Sequence, residues 1–183
     1  MALQTEIKFT YTDYRNLPES ETERYELLGG DLVMVPSPNE PHQRIARNLS
    51  FILWEYIRQQ ESGALYHAPF DVVLSPEDVV QPDIIFIAAE RAHIITEHNV
   101  QGAPDLVIEI LSPATAGRDR TYKRTLYARY RVGEYWLVDP MSRMVEVLIL
   151  GERGFERAAE YRWDEVLRSA LLPGLEIDLR EVF

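Results

Sequence analysis

PDLVIEILSP, residues 104–113, decides the fold. Five residues between Asp105 and Leu111 are apolar except for Glu109, and prolines close both ends. So short an apolar run, bounded by chain breakers, predicts a buried strand. Side chains on a strand alternate between faces. Val107, Glu109 and Leu111 therefore share one face, and Leu106, Ile108 and Ile110 share the other. A carboxylate on such a strand is costly to bury without a cation or a donor. Upstream, QPDIIFIA at 81–88 predicts a second strand, with Asp83, Ile85 and Ile87 on one face. If the two strands are neighbours in register, Asp83 and Glu109 meet near their ends.

Downstream, DRTYKRTLYARYR at 119–131 predicts a helix ending at Gly133. Lys123 is four residues from both Asp119 and Tyr127, so the three share a helix face. Two carboxylates and a lysine are the elements of a site that holds a divalent cation and activates water. The same set also suits an ordinary ion-paired strand and helix.

Further out, YELLGGDLVMVP at 25–36 predicts a hairpin turning at Gly29–Gly30. It places Glu26 as a possible additional carboxylate. TDYRNL predicts a short helix capped by Thr12, and PESETE an exposed loop. From Pro41 to Gln60 the spacing of Ile45, Leu49, Ile52, Leu53, Tyr56 and Ile57 predicts a long amphipathic helix, with His42 at its start. ALYHAPFDVVL reads as one strand interrupted by Pro69, and 89–102 as a short helix or loop. EYWLVDP and RMVEVLILG read as a hairpin, followed by a strand in FERAAEYR. Trp163–Asp164 predicts a short helix capped by Asp164. PGLEIDLREVF returns to the sheet or covers it.

The result is a mixed α+β domain with a central mixed sheet flanked by helices. The 183 residues fit one domain, with 1–24 as an N-terminal helical and loop appendage. Cysteine is absent, which excludes disulfides, thiolate nucleophiles and cysteine metal sites and suits a cytoplasmic protein. No apolar run is long enough to span a bilayer. The formal net charge of −11 repels phosphate backbones at long range and argues against tight nonspecific nucleic-acid binding.

The ordered set Tyr25–Glu26, His42, Pro82–Asp83, LVIEILSP with Glu109, then Asp119, Lys123, Tyr127 and GEYWLVDP resembles the Uma2 family (DUF820). That family belongs to the PD-(D/E)XK nuclease superfamily. The resemblance implies a restriction-endonuclease-like core and Mg2+-dependent phosphodiester hydrolysis, with Mn2+ as a substitute and DNA as the expected substrate. It implies a homodimer and no organic cofactor. Asp83 and Glu109 would bind the metal, with Glu26 as a further ligand. The superfamily's lysine two residues after the second acid is replaced here by Leu111. The resemblance moves its role to Lys123 on the following helix. Arg131 stands where the family often has glycine. His42, Asp119 and Tyr127 would support the site, with His42 contacting phosphate or holding Glu26. The alternatives are a noncatalytic nucleic-acid-binding protein on an inactivated nuclease fold and an acidic oligomeric scaffold. For the last, the apolar stretch 143–150 offers a pairing surface.

Overall fold

The computed structural model describes residues 7–18 and 23–183. The expected loop PESETE falls largely outside them, as does the start of the expected appendage. At the centre is a six-stranded mixed sheet, in the order β11-β10-β9-β8-β6-β3. Its members are β3 (Gly63–His67), β6 (Ile84–Ala88), β8 (Leu106–Ile110), β9 (Glu134–Asp139), β10 (Met144–Gly151) and β11 (Gly154–Arg162). Only β8 and β9 run parallel; the other pairs are antiparallel.

The alternation read from PDLVIEILSP divides the core in two. Leu106, Ile108 and Ile110 pack under the long helix α2 (Glu40–Gln60). That helix presents Ile45, Leu49, Leu53 and Ile57, all buried, at four-residue spacing. Each buried side chain of this kind contributes roughly 1.5–3 kcal/mol as an upper bound. Val107 on the opposite face joins Ile85, Ile87, Tyr135, Leu126 and Tyr127. There the sheet is covered by the helix at 116–129 and by a second sheet. The second sheet, in the order β2-β1-β5-β4-β7, comprises β1 (Arg24–Leu28), β2 (Asp31–Val35), β4 (Asp71–Ser75), β5 (Asp78–Val80) and β7 (Asn99–Gln101). A two-stranded ribbon, β12 (Val166–Arg168) with β13 (Glu176–Asp178), adds Leu167 and Ile177 to the α2 side.

The hairpin at Gly29–Gly30 forms as expected, with both glycines at positive φ. Four expectations need correction. The first helix α1 (Tyr11–Arg15) is capped by Thr10, not Thr12: the Thr10 hydroxyl and Asp13 carboxylate bond each other's backbone amides as a capping box. ALYHAPFDVVL is two strands, because the chain leaves the central sheet after His67 and enters the second sheet at Asp71. No helix follows Asp164. Arg162 N–H instead donates to the Glu165 carboxylate at 2.6 Å, making a tight turn into β12. Finally, 143–150 is no free pairing surface, since β10 is hydrogen-bonded on both edges.

The helix at 116–129 ends with Arg131 at φ 69°. Val132 N–H reaches back to the Tyr127 carbonyl at 3.0 Å, closing the last turn. A left-handed residue with a Cβ costs about 1–2 kcal/mol, partly offset by the greater unfolded-chain entropy of glycine. Arg131→Gly is therefore expected to raise stability by roughly 0.5–1 kcal/mol, read as a higher urea midpoint at an unchanged slope. An unchanged or lower midpoint would contradict this.

Candidate active site

The antiparallel register pairs Ile84 with Ile108 and Ile85 with Val107. Asp83 immediately precedes this ladder on one strand, and Glu109 follows it by one residue on the other. Both line a cleft of about 840 Å³, together with Glu26, His42, Asp119 and Lys123. The residues expected from the sequence are therefore brought together from β1, α2, β6, β8 and the helix after β8. Tyr127 adjoins them behind Glu109.

Lys123 is the hub. Its Nζ donates to Glu26 Oε1 at 2.8 Å and to Glu109 Oε1 at 3.0 Å, and lies 3.8 Å from Asp119 Oδ1. Tyr127 donates its hydroxyl to the same Glu109 oxygen at 2.7 Å. The Gln81 backbone N–H donates to Glu26 Oε1 at 2.9 Å. Glu26, Glu109, Asp119 and Lys123 are all buried. Burial alone lowers the pKa of the Lys123 ammonium. The charges of Glu109, Glu26 and Asp119 outweigh it and lift the pKa well above the usual lysine range. Burial pushes the Glu109 carboxyl well above the carboxylate range. Lys123 pulls it back, while Asp119, Asp83 and Glu26 push it further up.

The lysine reaches this position through a feature its spacing did not announce. Asp119–Lys123 is one π-helical turn inside the otherwise α-helical run Ala116–Arg129. Such a turn shifts the face a helix presents, and π-bulges recur at functional sites. Leu111, at the superfamily's usual lysine position, is packed in the core.

Asp83 is held differently. The Ile110 amide N–H donates to its Oδ2 at 2.7 Å, and His42 Nε2 lies 3.2 Å from the same oxygen. Asn39 caps α2 by accepting from the His42 amide, which fixes the histidine in the first turn above the strands. Burial lowers the His42 pKa, but Asp83 and the Ile110 carbonyl raise it further, leaving it above the usual value. His42 thus pairs with Asp83, not with Glu26 as expected.

The donor set suits a hard divalent cation. Four carboxyl groups, Glu26, Asp83, Glu109 and Asp119, line the cleft with Lys123 and His42. The contacts described use Oδ2 of Asp83 and Oε1 of Glu109, leaving Oδ1 and Oε2 outside them. Gln81 lines the same cleft, and its buried Oε1 has no partner among the described residues. No three His, Asp or Glu side chains among the described residues stand as a ready metal cage. Magnesium needs none, since it keeps several waters and binds through one or two carboxylates. Glu26, expected as a third ligand, likewise uses only Oε1 in its contacts with Lys123 and the Gln81 backbone N–H, leaving Oε2 outside them.

Several cleft residues carry little sequence signal. Arg24, Arg47 and His67 lie on ordinary strand or helix stretches and Gln81 in the connection between β5 and β6, and all four are brought in only by the tertiary fold. Asp139 accepts from the Met141 and Ser142 amides as a turn residue and is outside the cleft. Residues 89–102 form a 3₁₀ turn (Ala89–Ile94) and β7, also away from it.

The Uma2 family, described as "Putative restriction endonuclease", matches residues 11–180. The chain belongs to the Uma2 family. An uncharacterized protein of Synechocystis sp. is 26% identical over 147 residues, covering 80% of this chain and 83% of its own. The fold matches the crystal structure of "a putative nuclease belonging to DUF820" from Anabaena variabilis, with a TM-score of 0.78. That match covers 96% of this chain and 97% of the other at 20% identity. The Uma2 chain thus has the restriction-endonuclease-like fold. Among its described residues no helix is long and apolar enough to cross a membrane.

Proposed function

We propose that this Uma2 protein is a Mg2+-dependent endonuclease that hydrolyses phosphodiester bonds in DNA, with Mn2+ as a substitute. The observation that carries the reading is the 3.0 Å contact of Lys123 with Glu109, in a cleft that Asp83 lines as well. Asp83 and Glu109 are the protein ligands of the cation. When bound, the cation supplies Lewis acidity toward a phosphate oxygen and lowers the pKa of water.

The chain's own residues do the rest. Lys123 stays an ammonium, so it offsets negative charge developing on the phosphate and orients the attacking water. Glu26 holds Lys123 in place and is itself held by the Gln81 backbone N–H. Tyr127 fixes one oxygen of Glu109. His42 and the Ile110 amide fix one oxygen of Asp83. No side chain is needed as a nucleophile. A homodimer suits the exposed Phe51 and Trp54, one turn apart on α2.

The test is cleavage of mixed single- and double-stranded DNA by wild type in Mg2+ or Mn2+, beside Asp83→Asn. Loss of a ligand worth several kcal/mol in the transition state predicts a fall of about a thousandfold. EDTA is expected to abolish cleavage. Folded wild type that cuts none of these substrates would turn the assignment toward noncatalytic nucleic-acid binding, and Asp83→Asn that cuts equally well would overturn Asp83 as a ligand.

A further inference from the structure

Three arginines line the cleft: Arg24, Arg47 and Arg118. None has a carboxylate partner among the described residues. Among the described residues Arg47 bonds only the neutral side-chain amide oxygen of Asn48, at 3.0 and 3.1 Å. Arg24 and Arg118 are half-buried, where an unpaired guanidinium is more costly than on open surface. Six arginines outside the cleft lining do have a carboxylate partner: Arg44 pairs with Glu40, Arg91 with Asp105, Arg120 with Glu146, Arg157 with Glu160, Arg168 with Glu176 and Arg180 with Asp178.

The three also sit on the elements that deliver the site. Arg24 is two residues before Glu26 on β1, so the two share a strand face. Arg47 follows His42 on α2, where Gln43, Ala46, Arg47 and Ser50 form the stripe along the cleft. Arg118 immediately precedes the π turn that carries Asp119 and Lys123. The segments that supply Glu26, His42 and the Asp119–Lys123 pair to the centre therefore each also supply a guanidinium to its surroundings. A guanidinium presents a planar fork of donors matched to phosphate oxygens.

We propose that Arg24, Arg47 and Arg118 form a backbone clamp, binding phosphates of the substrate strand next to the one that reacts. The proposal rests on the nuclease reading of the same cleft and extends it to how an acidic protein holds a polyanion. The protein's overall field repels DNA, and these three local charges supply the grip. Phosphate contacts of this kind position a strand without reading its sequence. The clamp therefore predicts affinity that is indifferent to base sequence and steeply dependent on salt.

The experiment is fluorescence anisotropy of a short labelled single-stranded DNA, and of its duplex, over a salt series in EDTA. Without divalent cation, binding is read apart from cleavage. Wild type is compared with R24Q, R47Q, R118Q and the triple variant, each checked for an unchanged melting temperature. The control is R157Q, which removes one charge from an exposed, ion-paired arginine on β11. Each cleft variant is expected to weaken single-strand binding roughly threefold to tenfold. Each is also expected to flatten the plot of log affinity against log salt by about 0.7, and the triple variant by about 2. R157Q is expected to leave both unchanged. A triple variant with the wild-type slope, an equal effect of R157Q, or wild type that binds neither DNA would overturn the clamp. Because cleavage is not read here, a chain that binds through these arginines yet never cuts would sink the nuclease reading alone.

Discussion

Lys123→Met is expected to lower stability by about 3–5 kcal/mol as well as silence the protein, because removing one partner of a buried ion pair strands the other. Lys123 is the cation in direct contact with two buried carboxyl groups and near a third. Methionine fills the space but leaves Glu26, Glu109 and Asp119 facing one another. Some of that cost is relieved by protonating Glu109, whose pKa burial already raises. For a domain of this size the loss corresponds to a drop in Tm of roughly 10 °C. The double variant Lys123→Met with Glu109→Gln is expected to recover part of it, since residues in contact do not add independently. A Lys123→Met protein that melts with wild type would contradict the hub described here.

Glu109→Gln is expected to do the reverse: an activity loss of about a thousandfold with stability within roughly 1 kcal/mol of wild type, or above it. The amide keeps an oxygen to accept from Lys123 and Tyr127, while the charge that burial opposes is gone. The pH dependence follows from the raised folded pKa. Below the ordinary value of 4.5 the wild-type carboxyl is neutral in both folded and unfolded chains. Above it, the unfolded chain releases a proton that the folded chain retains. Wild type therefore loses stability relative to Glu109→Gln as pH rises from there through the raised folded value. Parallel denaturation series at several pH values check this; a constant difference between the proteins would contradict it. Two members of one ion pair thus have opposite expected effects on stability, which is the mark of a site kept for chemistry and not for the fold.

Much of this arrangement was legible in the residues. Glu109 was visible because a carboxylate interrupts an apolar strand, and Asp83 because period-two alternation puts it on the matching face. The hairpin at Gly29–Gly30 and the stripe on α2 were equally direct, since local backbone and burial periodicity decide both. What depended on distant partners was not legible. ALYHAPFDVVL keeps its alternation across Pro69, and only the neighbours of each half assign them to different sheets. The His42 imidazole was within reach of two expected acids, and the cap at Asn39 together with the strand register selects Asp83. Residues 119–123 satisfy an ordinary α-helical pattern, so the π turn that buries Asp119 with Lys123 has no signature in composition. Lys123 itself is an unremarkable helix lysine until β1 brings Glu26 against it. The three cleft arginines look like surface residues for the same reason.

The pairing of Asp83 and Glu109 on one divalent cation beside Lys123 is the core of the proposed function. Its most direct test is Mn2+ binding followed by electron paramagnetic resonance, with wild type beside Asp83→Asn and Glu109→Gln, all shown to be folded. The account predicts one bound Mn2+ per wild-type chain, displaced by excess Mg2+ and lost in both variants. Wild type that leaves all Mn2+ free in solution, or variants that bind it as wild type does, would contradict the account.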